Sequence, residues 1–338
     1  MLLNLISILK FHLQKFSFLH YLQHIFKSLY DSKYRQKFDE EIRYINDWNR
    51  NYGTIISDTL QKDNKGSAVI FGWSSFNYVL SETLIRKSLE KAGYSNLVFA
   101  TPNPITKLIY KIFGHDVKSF NKYMPLPNYF QAKDIVKSFN SAEELINYKF
   151  DDISVGKYAC SSYMRHTRSG RIDLSDKKKV GIITKYLAIS IASAIAANRM
   201  IKGVKPSVVV VIDRGYSPFG EVFDACINNS IDIISWNIAH RDNSIMLKRY
   251  NKGNRMSHPS SLSNKSWKML KNIDKNFFSS NEVINELDYC YSSGQWYSEV
   301  GTQFNKLKKS KNDLISNLGL LKDKKTAVIF AHIFWDAT

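Results

Sequence analysis

The chain has 338 residues, 44% of them hydrophobic, which is length enough for two domains and apolar content enough for substantial cores. Its net charge of +18 would suit nucleic acid or an acidic membrane, but no nucleic-acid-binding motif accompanies it, and the joint abundance of Lys, Asn, Ile, Phe and Tyr is the mixture of an AT-rich coding sequence. Three cysteines, Cys160, Cys226 and Cys290, stand far apart without a Cys-x-x-Cys pair, which argues against a disulfide scaffold or thiolate zinc site and fits a reducing cytoplasm.

Residues 1–65 read as an N-terminal helical segment. Met1 to Tyr30 holds no acid, and Lys10, Lys15 and Lys27 interrupt a run rich in Leu, Ile and Phe. Asn4, Ser7, Lys10, Gln14, Ser17, His24 and Lys27 recur at helical spacing, giving a narrow polar stripe beside a broad apolar face. Two fates fit such a helix: lying in the interface of an anionic membrane, or packing on the body of the protein. Its lysines and histidines interrupt any uncharged run of the roughly 20 residues a bilayer span requires. No charged region precedes the apolar stretch and no small-residue cleavage pattern follows it, so a signal peptide is not expected. From Asp39 to Trp48 acids return while the helical pattern continues.

A Rossmann-like domain is expected over 66–242. Ala68 to Phe71 is a short apolar strand, Gly72-Trp73-Ser74-Ser75-Phe76-Asn77 a turn, and Tyr78 to Ala92 a helix closed by Gly93. With the strand Asn96 to Ala100 these make a βαβ unit, which demands parallel strands and a right-handed crossover. A further helix is expected from Thr101-Pro102-Asn103-Pro104 towards Gly114. Residues 115–180, with Pro125 and Pro127, read as a loop or insertion; the basic run Arg165 to Arg171 could hold a phosphate or a sugar carboxylate, but a solvated loop is the favoured reading.

Leu187 to Ile201 has the composition of a buried helix, and Ser207 to Ile212 is a β-branched run suited to a strand covered on both faces. That strand leads into Asp213-Arg214-Gly215-Tyr216-Ser217-Pro218-Phe219-Gly220-Glu221. Ser217 is the expected cap of the following helix, Val222 to Asn229, with Pro218 at its first position and Glu221 in the first turn. The next strand, Ile231 to Trp236, ends in a turn carrying His240 and Arg241, a candidate base and a candidate phosphate ligand. Ligands of open α/β sheets bind beyond the carboxyl ends of the strands, so these three turns form the expected site.

Residues 243–323 read as a helical and loop bridge, with helices over Asn281 to Asp288 and Ser298 to Ser316 and a basic patch of Lys306, Lys308, Lys309 and Lys311. Residues 324–338 read as one strand and the turn leaving it, so the chain is expected to stop at the first strand of a second domain.

A Rossmann-like domain, a helical bridge, and Leu318-Gly319-Leu320 followed by Asp323 to His332 together resemble GT-B glycosyltransferases of bacterial capsule and surface-polysaccharide biosynthesis. Asp213 to Glu221 with its helix and strand resembles the closing βαβ unit of their N-terminal domain, and His332-x-x-Trp335-Asp336 the opening of their C-terminal domain. The resemblance implies sugar transfer from a nucleotide-sugar co-substrate to a glycan acceptor, with no metal or other cofactor; the location expected from the cysteines is the cytoplasm, and an interfacial N-terminal helix would place the chain peripherally at the inner face of its membrane. It implies that Gly72, Trp73, Ser74, Ser75, Arg214, Tyr216, Gly220 and Arg241 line the substrate cleft and that His332 faces the donor. Asp213, Glu221 or His240 would deprotonate the acceptor hydroxyl. In that family the C-terminal domain holds most of the donor, so this chain would be the acceptor side and inactive alone. The competing readings are a non-catalytic binding or scaffold protein on the same fold and, less favoured, a basic nucleic-acid-binding protein.

Overall fold

The computed structural model describes residues 17–57, 65–72, 76–100, 110–113, 115, 117–239, 244–273, 280–293, 310–321, 324 and 325. The expected strand after Thr326, most of the helix expected from Thr101 to Gly114 and the segment 298–309 lie outside the described residues. Those up to Trp236 together with Leu247–Met256 make one compact unit, and Asn237–Met246 with the residues from Ser257 onward make a second.

The first unit opens with α1, Ser17–Tyr30, and α2, Ser32–Ser57, joined through Asp31. His24 ties them: its Nδ1 lies 3.0 Å from the Tyr34 hydroxyl, and its ring meets Phe38 edge-on with centroids 4.7 Å apart. The α/β body follows with β1, Ser67–Gly72; α3, Phe76–Lys91; β2, Ser95–Ala100; and β3, Val117–Ser119. Beyond these come α4, Tyr129–Lys137; α5, Ala142–Asn147; α6, Val155–Thr167; α7, Lys177–Val204; and β4, Val208–Val211. The body closes with α8, Phe219–Asn228; β5, Asp232–Ile238; and β6, Ile245–Tyr250.

The six strands form one sheet in the order β3-β2-β1-β4-β5-β6. The pairs β1 with β2, β1 with β4, β2 with β3 and β4 with β5 are all parallel. This is the doubly wound order, in which the chain reverses its direction of travel across the sheet between β1 and β4. The connection from β5 to β6 spans residues 239–244, too short to return the chain for a parallel pairing, so β6 closes its edge as a hairpin.

Alternation along the strands feeds both faces of the sheet. Val69, Phe71, Val209, Val211 and Ile233 enter one core with apolar side chains of α6, α7 and α8. Ala68, Ile70, Val208 and Val210 are buried too, and α3 packs along β1 and β2. The continuous valine run of β4 follows from this, because a strand covered on both faces has no solvent side for polar residues.

Several expectations are extended or corrected. Residues 115–180 are not a loop: they supply β3 and three helices, and Ala132, Val136, Leu145, Tyr158 and Tyr163 belong to the core. Asn128 and Ser141 start α4 and α5 by accepting from Gln131 N–H and Glu144 N–H. Arg165 to Thr167 close α6, and Arg168 ends it in the left-handed conformation at φ 52°. The buried helix is longer than expected: Asp176 caps α7 by accepting from the N–H groups of Lys178 and Lys179. By length and composition α7 could cross a membrane, but Leu187, Ala194, Ala196 and Ala197 are wholly buried in the core.

The second unit contains α9, Asn264–Lys271; α10, Ser280–Ser293; and α11, Lys311–Asn317. Ser310 and Asp313 form a capping box at the start of α11. Neither α9 nor α11 buries a residue.

Candidate functional site

Parallel pairing places the ends of β1 and β4 side by side, with Phe71 opposite Val211 in register, so Gly72 and the turn that begins at Asp213 leave the same edge of the sheet. This edge, at the reversal of strand order, is where a doubly wound sheet opens a crevice between diverging helices. Trp73, Ser74, Ser75, His240, Arg241 and His332 lie outside the described residues.

Gly72 has a packing reason to be glycine. A β-carbon there would stand 2.1 Å from the Tyr110 hydroxyl and 3.0 Å from Glu82 Oε2. The Tyr110 hydroxyl donates to Glu82 Oε2 beneath β1, and burial, followed by the Glu82 charge, raises its pKa well above the usual phenol value. A second buried polar group lies nearby, where His115 Nε2 sits 2.8 Å from the Thr83 hydroxyl and its Nδ1 meets Arg86. The close approach at Gly72 therefore serves the protein's own side chains rather than a ligand.

In the β4 turn, Asp213 Oδ1 accepts from the N–H groups of Arg214 and Gly215 at 2.5 and 2.7 Å, a local turn that fixes the carboxylate at the sheet edge. Among the described residues, Oδ2 makes no hydrogen bond. Arg214 leaves the turn sideways: its guanidinium lies over the rings of Phe223 and Tyr250, and Nη1 donates to the carbonyl of Arg255.

The remaining residues expected in this turn are placed differently. Tyr216 is buried, with the Arg165 guanidinium 4.5 Å over its ring, so Arg165 is held on the protein and not spread in a solvated loop. Ser217 does not cap α8: Pro218 precedes the first helical residue, no side-chain cap is made, and the Ser217 hydroxyl is buried against the Glu221 carboxyl. The Ser217–Pro218 peptide is cis. Gly220 faces Tyr158, whose ring would lie 2.2 Å from an added β-carbon, so this glycine too is required by packing.

Glu221 is in the first turn of α8 as expected, but it is wholly buried and bonded to the Ser190 hydroxyl of α7. Burial pushes its pKa up to about 7 against the lowering effect of its hydrogen bonds, with Ser190 foremost and the Ser217 hydroxyl among them. A carboxyl sealed between helices cannot reach an acceptor hydroxyl, so the expectation of Glu221 as a base is corrected: it is a buried interior group.

One turn further along α8 lies a residue the sequence reading passed over. Asp224 is wholly buried; Oδ1 pairs with Arg255 Nη2 at 2.6 Å, and Oδ2 accepts from Ser154 N–H at 2.9 Å. It thereby caps α6 from 70 residues away, where Ser154 makes no side-chain cap of its own. Tyr158 lies against both acids; burial, then the charges of Asp224 and Glu221, raises its pKa well above the usual phenol value. Lys157 is half-buried beside this centre, and burial followed by repulsion from Arg214 lowers its pKa. The available signal was Glu221 and Asp224 at a three-residue spacing inside an otherwise apolar helix, which sets two carboxylates on one face.

Among the described residues no group of three or more His, Cys, Asp and Glu side chains is placed to hold a metal ion. No family model, curated protein or solved structure matches the chain.

Proposed function

We propose that the chain is the acceptor-side, Rossmann-like domain of a glycosyltransferase that uses a nucleotide-sugar donor to extend a bacterial surface glycan, with Asp213 as the candidate base. The observation that carries this reading is the juxtaposition of the β1 and β4 ends at the strand-order reversal, where the Asp213 carboxylate is fixed by Oδ1 while Oδ2 makes no hydrogen bond among the described residues. A carboxylate held in this way can orient and deprotonate a sugar hydroxyl without first losing side-chain freedom.

A second reading is favoured by the burial of Glu221: a glycan-binding domain on the same fold, with no turnover of its own. Peripheral attachment to an anionic membrane is supported by α1, where Phe26, Leu29 and Tyr30 are exposed beside Lys27.

Binding distinguishes these proposals from the alternative of a basic nucleic-acid-binding protein. Oligosaccharide fragments of surface polysaccharides should show saturable contacts in saturation-transfer NMR, and Asp213→Asn should weaken them by about tenfold for one lost charge-assisted hydrogen bond. Unchanged binding in Asp213→Asn would remove the carboxylate from the site. Oligonucleotide binding with a steep salt dependence and no glycan binding would overturn the glycosyltransferase reading and the glycan-binding reading together.

A further inference from the structure

Helix α9 turns two sides of opposite chemistry to solvent. Ser263 starts it by accepting from Ser266 N–H at 3.1 Å, and the chain then runs Asn264-Lys265-Ser266-Trp267-Lys268-Met269-Leu270-Lys271. At about 3.6 residues per turn, Lys265, Lys268 and Lys271 follow one another down one side. Trp267, Leu270 and Ile273, just past the helix, follow at the same spacing down the other, with Met269 at their flank. Ser266 is the one polar residue among these apolar positions, and its hydroxyl is taken up by the cap, 2.9 Å from Ser263 Oγ.

Both sides are open. Trp267 is 53% exposed and Met269 62%, Leu270 is exposed beside them, and so are all three lysines. None of these lysines forms an ion pair with a described residue, and residues 257–273 contain no Asp or Glu that could supply one locally. Single exposed apolar side chains are ordinary on a protein surface, but here they share one side of a helix whose opposite side carries only positive charge. An anionic bilayer surface matches this division. Its acyl boundary takes up the apolar side with the indole at headgroup level, and its phosphates attract the lysines, whose long stems can reach them. A nucleic-acid strand would answer the lysines and could stack on Trp267, yet it would leave Met269 and Leu270 in water.

We propose that α9 is an interfacial helix that docks the second unit on anionic lipid, with Trp267, Met269 and Leu270 in the acyl boundary and Lys265, Lys268 and Lys271 among the headgroup phosphates. This contact is separate in the chain from α1 and does not depend on α1 meeting lipid. It is equally independent of the glycosyltransferase reading.

Hydrogen exchange of the full chain, read peptide by peptide by mass spectrometry, tests this with vesicles of phosphatidylglycerol mixed into phosphatidylcholine. Peptides covering residues 264–273 should gain protection from the mixed vesicles and none from phosphatidylcholine alone. When Lys265→Gln, Lys268→Gln and Lys271→Gln are combined, the lipid concentration that half-protects these peptides should rise about a hundredfold, about fivefold for each lysine. Combining Lys265→Arg, Lys268→Arg and Lys271→Arg keeps the charges and should leave it at the wild-type value. Peptides over residues 17–30 report on α1 in the same samples, so the failure of either contact is seen apart from the other. No protection of residues 264–273 in the wild type, or equal protection by neutral vesicles or in the Gln variant, would overturn the proposal. Protection by an oligonucleotide without protection by the mixed vesicles would overturn it in favour of nucleic acid.

Discussion

Glu221 shows how a single residue can look catalytic in sequence and prove interior in the fold. Its carboxyl is buried against Ser190, and burial pushes its pKa from 4.5 up to about 7. Because the folded protein holds this proton more tightly than the unfolded chain, the contribution to stability is fully present below pH 4.5 and is lost as pH rises through about 7. Glu221→Gln keeps an oxygen for Ser190 and removes the titration. Its stability relative to wild type should therefore rise by roughly 3 kcal/mol between about pH 4.5 and about pH 8, measured by urea unfolding across that range. Parallel pH profiles for the two proteins would show that Glu221 keeps an ordinary pKa in the fold.

At the scale of elements, the contact of α8 with α6 depends on Gly220 as strongly as on any apolar side chain. Tyr158 fills the space where a β-carbon would stand, while Phe219, Val222, Phe223 and Ala225 bury the rest of α8. Gly220→Ala improves intrinsic helix propensity, yet it should lower stability by about 1–3 kcal/mol, because the tyrosine ring has to shift inside a close-packed core. Thermal unfolding followed by near-ultraviolet circular dichroism would check this, and an unchanged or raised midpoint would refute the packing argument. The first helix makes the opposite case, with apolar residues that its own unit leaves exposed. Ile25, Phe26, Leu29 and Tyr30 are accessible on α1, and no acid lies in its first turn. Deleting Met1 to Tyr30 should abolish sedimentation with anionic vesicles and leave the far-ultraviolet spectrum of a folded α/β body. Loss of folding on deletion, without vesicle binding by the full chain, would assign the segment to the core.

Across the whole molecule, burial is distributed very unevenly between the two units. Strands β1 and β4 and helices α6 to α8 carry the core, whereas α9 and α11 bury no residue and α10 exposes Val283, Ile284 and Leu287. Helices with little buried apolar surface open at low free-energy cost, and open backbone is what proteases cut. Brief trypsin treatment should therefore cleave first around Lys265, Lys268, Lys271 and Lys311, leaving a resistant fragment that retains β1 to β6, identifiable by mass spectrometry. First cuts within α6 or α7 would contradict the assignment of the core.

The sequence by itself determined the class of the fold. The β-branched run before Asp213, the apolar strand before Gly72 and the helix pattern between Tyr78 and Gly93 are local periodicities, and each was legible because strand and helix repeats are written within a few neighbouring residues. The positions of both turns beyond parallel strands followed from the βαβ rule. What lay around those turns was decided only in three dimensions. That Gly72 makes room for Tyr110 and Gly220 for Tyr158, that Glu221 is sealed under Ser190, and that Asp224 caps α6 while holding Arg255 are contacts between residues 31 to 70 positions apart. No pattern along the chain encodes such pairings. Burial and charge neighbourhood are properties of packing, and packing gave the carboxylates and glycines of one short segment their different roles: Asp213 at the sheet edge, Glu221 and Asp224 in the interior, and Gly220 beneath a tyrosine ring.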